Sequence, residues 1–413
     1  MLHTSHINVD LSAVEENVRV LREALARPDG ENPRLCAVIK ADAYGLGSVR
    51  IAHRLEKKVD MFAVYTLTEA IELLSASVRT PILVMSPVYS IADSDTLYRA
   101  VSHGRLHFSV HALDQAHALA KQADRFGVEI PVHLDVNTGI NRGAAAPPEA
   151  AEILEFTRGH RRLIVAGVSS HFADASRDDA LTRKQSARFR DWLHEMGDRV
   201  PPKAILHEAN TFGLFRSSTT HLSMTRIGYA LAGYACEEFA DPENFQHRAH
   251  AERLVPAVRW VSAIAHTQWI DAGERVGYGG DWTAQRRTRL ALVPVGYADG
   301  YPFALSGKGR VRVETSENAL IEAPVVGRVS MDQITVDITD LPASAAGVGS
   351  EVELIASDRD APNHLPALAK LAGTISHEIL CGLGKRVPRR YLSQREPATP
   401  VVVARPATPT AHA

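Results

Sequence analysis

The sequence predicts an α/β fold, a (β/α)8 TIM-like barrel followed by a mainly-β C-terminal domain. Eight short apolar runs alternate with helical patterns over the first two thirds of the chain, as strands with crossover helices would. Beyond about residue 245 the pattern changes to period-two alternation, the mark of half-buried strands. Unusual polar residues also gather at the C-terminal ends of the apolar runs, where a barrel collects its loops into one mouth. Counting strands cannot show closure, so a doubly wound sheet stays open as the second architecture.

With 413 residues, 45% of them apolar and 23% charged, the chain is long enough for two domains with sizeable cores. The expected division is a barrel over 8–245 and a β-rich domain over 246–391, which the segment 1–9 could join as a strand. Residues 392–413, rich in Pro, Ala and Thr, are expected to lack fixed structure. A formal net charge of −2 gives no reason to expect nucleic acid as a partner. The three cysteines, Cys36, Cys236 and Cys381, are widely spaced and read as reduced thiols. No apolar signal region opens the chain, and no run approaches the ~18 residues of a membrane span, so a soluble cytoplasmic protein is expected.

Helical spacing begins at Leu11, Val14, Val18, Leu21 and Leu25, and Arg27-Pro28-Asp29-Gly30 stops it. Strands follow as RLCAVIK (34–40), DMFAVY (60–65), PILVM (81–85), RLHFSV (105–110), IPVHLDV (130–136), LIVAGVS (163–169), KAILHEA (203–209) and a weaker SMTRIG (223–228). Thr66-Leu67-Thr68-Glu69 reads as a capping box opening the helix after the second of these. In the second domain GRVRVE (309–314) and ITVDI (334–338) alternate as strands, and a helix is expected around Leu365–Leu383.

Lys40 closes the first barrel run, Arg142 lies just beyond the fifth, and His171 follows the sixth. Asn210 and Thr211 follow the seventh, and Arg226 sits in the eighth. Singly, each has a bland reading as a solvated or structural residue; together they crowd one rim. A lysine at the base of an apolar mouth is what a pyridoxal 5′-phosphate enzyme needs, because desolvation pulls the amine from about 10.4 toward neutrality and a Schiff base becomes possible. The small residues of Tyr44-Gly45-Leu46-Gly47 would let backbone approach a phosphate.

AVIKADAYGLG (37–47) resembles the cofactor-lysine signature of the alanine racemase family, whose members pair a barrel with a β domain. The resemblance continues in order through VHLDVNTGINR, GVSSHFADA, HEANTFG, TRIGYALAGY, ERVGYGG, PVGYADGYP, VGRVSMDQITVDIT and GTISHEIL, and spans about residues 8–391. It implies that Lys40 carries pyridoxal phosphate and that Tyr44, Asn210, Thr211, Gly228 and Tyr229 surround its phosphate. His171 would flank the ring, Arg142 would reach the phenolic oxygen, and Arg226 would face the ring nitrogen. An arginine only donates, so it would leave that nitrogen unprotonated and weaken the cofactor as an electron sink, which suits simple reprotonation.

The resemblance also implies a second base, Tyr278, reaching the opposite face from the β domain of a partner subunit in a homodimer. An ordinary tyrosine is only about 0.1% ionised at pH 7, so full ionisation costs roughly 4 kcal/mol, which the site must offset with nearby cations or by keeping the proton shared. Met331 would offer its backbone N–H to the substrate carboxylate, beside Asp332 in the substrate site, and Tyr297 would line the entry channel. On this reading the reaction is L-/D-alanine interconversion serving D-alanine supply for the cell wall, or D-alanine breakdown.

The chain departs from the family pattern at several places. Asp135 stands where many relatives carry a carbamylated lysine, and a direct or anion-bridged contact with Arg142 is expected instead. Asn137 replaces an aspartate, Leu46 a histidine, and Phe303 an arginine. His377 replaces a tyrosine that borders the phosphate and substrate, which opens the alternative of a serine or broad-specificity racemase. A decarboxylase of related architecture and a non-catalytic pyridoxal phosphate carrier remain as further readings. His103, His107 and His111 share four-residue spacing, but a predicted strand interrupts them and no metal site is expected. The basic run 385–390 reads as a solvated cluster.

Overall fold

The computed structural model describes residues 5–342 and 344–393, so most of the expected tail lies outside the described residues. The chain forms two compact units, one of Ala13–Val255 and one joining the residues up to Ser12 to those from Pro256 onward.

Strand β1 (His6–Asp10) belongs to the second unit and runs straight into the helix Leu11–Ala24. The barrel follows as β2 (Arg34–Val38), β3 (Met61–Val64), β4 (Ile82–Val84), β5 (Leu106–Val110), β6 (Ile130–Asp135), β7 (Leu163–Ser169), β8 (Ile205–His207) and β9 (Met224–Ile227). All pair in parallel and in consecutive order, and β9 lies beside β2. Strands β2 to β8 advance in one direction and the last strand, β9, returns to pair with the first, as a ring requires and a doubly wound sheet does not. Between β8 and β9 the ring is nearly closed by Ser223 N–H donating to Leu206 O (3.0 Å) and Arg226 N–H to Ala209 O (2.9 Å). Cys36, Val38, Met61, Ala63, Leu83, Ile205 and Met224 pack within one buried cluster.

The helix Leu67–Ser75 opens with the expected capping box, Thr66 and Glu69 each accepting from the other's backbone N–H. The barrel unit runs past the expected boundary at 245. Gln246 and His247 donate to the carbonyls of Arg216 and Phe215, and the Asn17 side chain grips both the N–H and the carbonyl of Val255.

The second unit holds β10 (Val258–Ala263), β11 (His266–Ile270), β12 (Arg275–Val276), β13 (Trp282–Thr283), β14 (Thr288–Val293), β15 (Arg310–Glu314), β16 (Leu320–Val326), β17 (Ile334–Asp337), β18 (Glu351–Ile355) and β19 (Arg389–Leu392). A nine-stranded sheet runs β11-β14-β17-β16-β15-β18-β10-β1-β19, and β12–β13 form a separate hairpin. His6–Asp10 thus lies within this sheet, between β10 and β19. Where one helix was expected around Leu365–Leu383, there are two, Leu365–Ala372 and Ser376–Gly382. Gly373 takes φ 70° and caps the first through its N–H to Lys370 O, which turns the chain out of the helix.

Candidate active site

Lys40 stands half-buried at the mouth, just past β2, with its Nζ 5.9 Å from the centroid of the Tyr65 ring. The backbone after it is unusual. Ala41, Asp42, Ala43 and Tyr44 all lie in the left-handed region with φ between 51° and 56°, and Gly45 continues it at 79°. Two carboxylates brace this turn. Glu69 Oε1 accepts from Ala41 N–H (2.6 Å) while its other oxygen accepts from Tyr65 and Thr66, and Asp42 Oδ1 accepts from Ser48 N–H (2.7 Å). The capping residue of one helix therefore also fixes the exit from Lys40.

The turn delivers Tyr44 onto Gly228. A Cβ at position 228 would sit 2.1 Å from the Tyr44 hydroxyl, so only glycine allows this approach. Nearby, Asn210 caps the helix Thr211–Arg216, its Oδ1 accepting from Gly213 N–H (2.9 Å), and buried Thr211 leads that helix. Hydroxyls and backbone N–H groups thus collect around Gly228, a donor set that suits an anionic oxygen cluster. Tyr229 is buried and stacks on Tyr234 at 5.7 Å.

Arg226 is buried at the centre of the mouth. Its Nη2 donates to Ser170 O (2.7 Å) and to His171 Nδ1 (3.1 Å), and its Nη1 donates to His207 O (2.9 Å) and His207 Nδ1 (2.6 Å). Guanidinium has no acceptor, so His171 must offer a lone pair at Nδ1 and carry its proton on Nε2. Burial, with Arg226, Arg142 and Lys40 around it, pushes the His171 imidazole down to about 3. It is neutral at any ordinary working pH.

Arg142 is exposed on the loop after β6, where Asn137 Oδ1 accepts from Gly139 and Asn141 N–H and shapes the turn. The expected direct contact between Asp135 and Arg142 is not formed. The short aspartate stem is occupied by Ser169 Oγ (2.9 Å) and His111 Nδ1 (3.5 Å). Burial works against its ionisation, but these partners and the charge of Arg226 hold the Asp135 carboxyl below the usual range.

The remaining expected site residues lie in the second unit. Tyr278 tops the β12–β13 hairpin in a turn where Gly277, Gly279 and Gly280 all take positive φ, and it is 74% exposed. Met331 is 53% and Tyr297 46% exposed, and backbone bonds from Tyr297 and Ala298 to the carbonyls of Ser330 and Met331 hold them side by side. Asp332 accepts from Arg386, which also grips Asp299 through two bonds. His377 lies in the first turn of the helix Ser376–Gly382.

Known families match both parts of the chain. A model of the alanine racemase N-terminal domain covers residues 9–236, and one of the alanine racemase C-terminal domain covers 257–391. The chain belongs to the alanine racemase family. It is 34% identical over 394 residues to an alanine racemase of Cutibacterium acnes, covering 94% of this chain and 98% of that one. Among solved structures, the alanine racemase of Streptomyces lavendulae superimposes with a TM-score of 0.83 at 29% identity, over 95% of this chain and 98% of that one. That of Bartonella henselae, described with covalently bound pyridoxal phosphate, gives 0.78 at 27% identity, over 94% and 99% of the two chains.

Within this alanine racemase fold, sequence reasoning passed over three side chains. Glu208, one residue past β8, is buried and receives Ser186 Oγ at 2.7 Å, and burial raises its carboxyl to about 7. His133 and His207 are buried beneath Arg226. Their one visible signal was an inward strand position filled by a polar residue. Among the described residues no helix is long and apolar enough to cross a membrane.

Proposed function

We propose that this protein is a pyridoxal phosphate-dependent alanine racemase that interconverts L- and D-alanine in the cytoplasm, as a homodimer with sites shared between subunits. The observation that carries the reading is Lys40 at the mouth of the barrel beside a neutral His171 and a buried Arg226. The residues fit the cofactor. Its phosphate would be held by Tyr44, Thr211 and the backbone at Gly228 and Tyr229, with Asn210 fixing the helix behind them and His377 on the border. His171 would lie against the ring, and Arg142 would reach the phenolic oxygen. When bound, pyridoxal phosphate draws electrons from an attached amino acid and acidifies its Cα–H.

The protein then has to handle one proton on two faces. Lys40 Nζ, aimed by a rigid strand end, takes or returns a proton at the substrate Cα from one side. Tyr278 Oη of the partner subunit does so from the other. Arg226, a donor at every working pH, would face the ring nitrogen of the bound cofactor, leave it as an acceptor and so limit side reactions. The backbone N–H of Met331, beside Asp332, would receive the substrate carboxylate together with Arg142, and Tyr297 would line the approach. The exposure of Tyr278, Tyr297 and Met331 supports a second copy as their cover.

The decisive experiment joins two measurements on the purified protein with added cofactor. Optical rotation of L-alanine should decay to zero, and borohydride reduction should leave the cofactor mass on the peptide containing Lys40. A panel of alanine, serine and lysine tests whether the histidine at 377 widens the substrate range. Unchanged rotation with every amino acid, or label on a different peptide, would overturn the proposal.

A further inference from the structure

Beneath the mouth, a row of imidazoles descends from Arg226 through the barrel. Arg226 Nη1 lies 2.6 Å from His207 Nδ1, His207 Nε2 lies 2.8 Å from His133 Nδ1, and His133 Nε2 lies 3.0 Å from His107 Nδ1. The row ends with His107 Nε2, 3.2 Å from the carbonyl of Gly104. Each ring uses both nitrogens, one upward and one downward.

The two ends fix the direction of every bond. Guanidinium can only donate and a carbonyl can only accept. His207 must therefore accept at Nδ1 and donate from Nε2, and the same holds in turn for His133 and His107. Both ends demand the same polarity, so one arrangement of protons satisfies the whole row. Burial keeps the imidazoles neutral, well below the ordinary range for His133 and His207 and at about 4 for His107.

Such a row is costly to bury unless complete, and apolar side chains usually fill a barrel. The strand beside it makes room for it. A Cβ on Gly167 would lie 2.4 Å from His133 Nδ1, so the glycine of β7 is what admits the middle ring. At the top, the bonds to His207, Ser170 and His171 engage the four hydrogens on the terminal nitrogens of Arg226. Among the described residues, its Nε–H is the remaining donor.

We propose that His207, His133 and His107 are positioning residues, a tautomer-locked row that holds the terminal nitrogens of Arg226 inward and presents its Nε–H to a ring nitrogen. The inference rests on the reading of Arg226 as the residue that faces the cofactor ring. Acting through Arg226, the row would set how well the cofactor is oriented rather than how tightly alanine binds.

The test begins with histidine-labelled protein, with and without cofactor, in long-range proton–nitrogen spectra. All three imidazoles should be neutral with the proton on Nε2, and a proton on Nδ1 of His207 or His133 would overturn the row. The second measurement compares His133→Leu with His133→Asn, whose amide oxygen restores an acceptor near Nδ1. In the leucine variant kcat should fall about ten- to a hundredfold with KM for alanine within a factor of about two, and the visible circular dichroism of the bound cofactor should change. The asparagine variant should recover most of both. Equal impairment of the two variants, or a leucine variant with the parent's spectrum and kcat, would count against the proposal. If wild-type protein shows no cofactor band at all, it is the cofactor reading that fails, while the tautomers of the cofactor-free chain still judge the row.

Discussion

At the barrel mouth, Arg226, His171 and Thr211 are buried or half-buried, and Arg226 and His171 are bonded to each other. On the β domain, Tyr278, Tyr297 and Met331 stand largely in solvent. The first group is positioned by its own unit and needs nothing further to hold its geometry. The second exposes large apolar groups at a cost of about 25 cal/mol per Å² relative to being covered. The lesson is a division of labour. One unit holds its polar groups in a fixed, bonded arrangement, and the other presents its groups to solvent, as the proposed dimer would require.

The strongest way to break this comparison is at Lys40. Lys40→Ala should lower racemisation in both directions by at least about a thousandfold and remove the borohydride label, read by polarimetry and peptide mass. Tyr278→Phe separates the two regions. Turnover should drop about a hundredfold or more while the Lys40 label stays intact, and loss of the label would mean that Tyr278 serves cofactor binding instead.

Glu208 probes the finished cavity alone. Burial raises its carboxyl from the ordinary 4.5 to about 7. A group raised on folding contributes its full stability below the unfolded value and loses it as pH climbs through the folded one. Glu208→Gln should therefore leave stability near unchanged at pH 4 and raise it by up to about 3 kcal/mol at pH 8.5, measured by urea unfolding. A gain that is the same at both pH values would show that burial of charge is not the cause. The smallest effect is expected for Glu69→Gln, which keeps the shape but weakens three charge-assisted bonds. It should cost about 1–2 kcal/mol and raise hydrogen exchange at Ala41, and unaltered exchange there would detach the capping box from the Lys40 turn.

Most of the barrel was legible because each of its strands is a short apolar run with its own boundary signals. Closure was not, since it depends on the ends of β8 and β9 meeting, and no local pattern records that. The expected single helix around Leu365–Leu383 missed the break at Gly373, whose left-handed φ ends the first helix. At the site, Lys40, His171, Thr211 and Arg226 announced themselves as polar residues at strand ends. The histidine row did not. His107, His133 and His207 come from three strands, and their relation exists only in the folded barrel. Regular spacing instead drew the eye to His103, His107 and His111, which the structure sends to three separate partners: Arg99 O, His133 and Met85 O. Asp135 shows the reverse failure, where charge complementarity with Arg142 was easy to imagine and geometry gave the carboxylate to Ser169 and His111.

The reversed screw of Ala41–Tyr44 has a further consequence for how this segment tolerates change. Ordinary L-residues resist that twist by about 1–2 kcal/mol apiece, and only glycine, asparagine and aspartate accept it readily. A library randomised over positions 41–43 and selected for a folded chain should return a narrow alphabet of small or amide-bearing side chains, with valine, isoleucine and threonine missing. The few routes open to mutation next to Lys40 would then be set by handedness before any chemistry is screened.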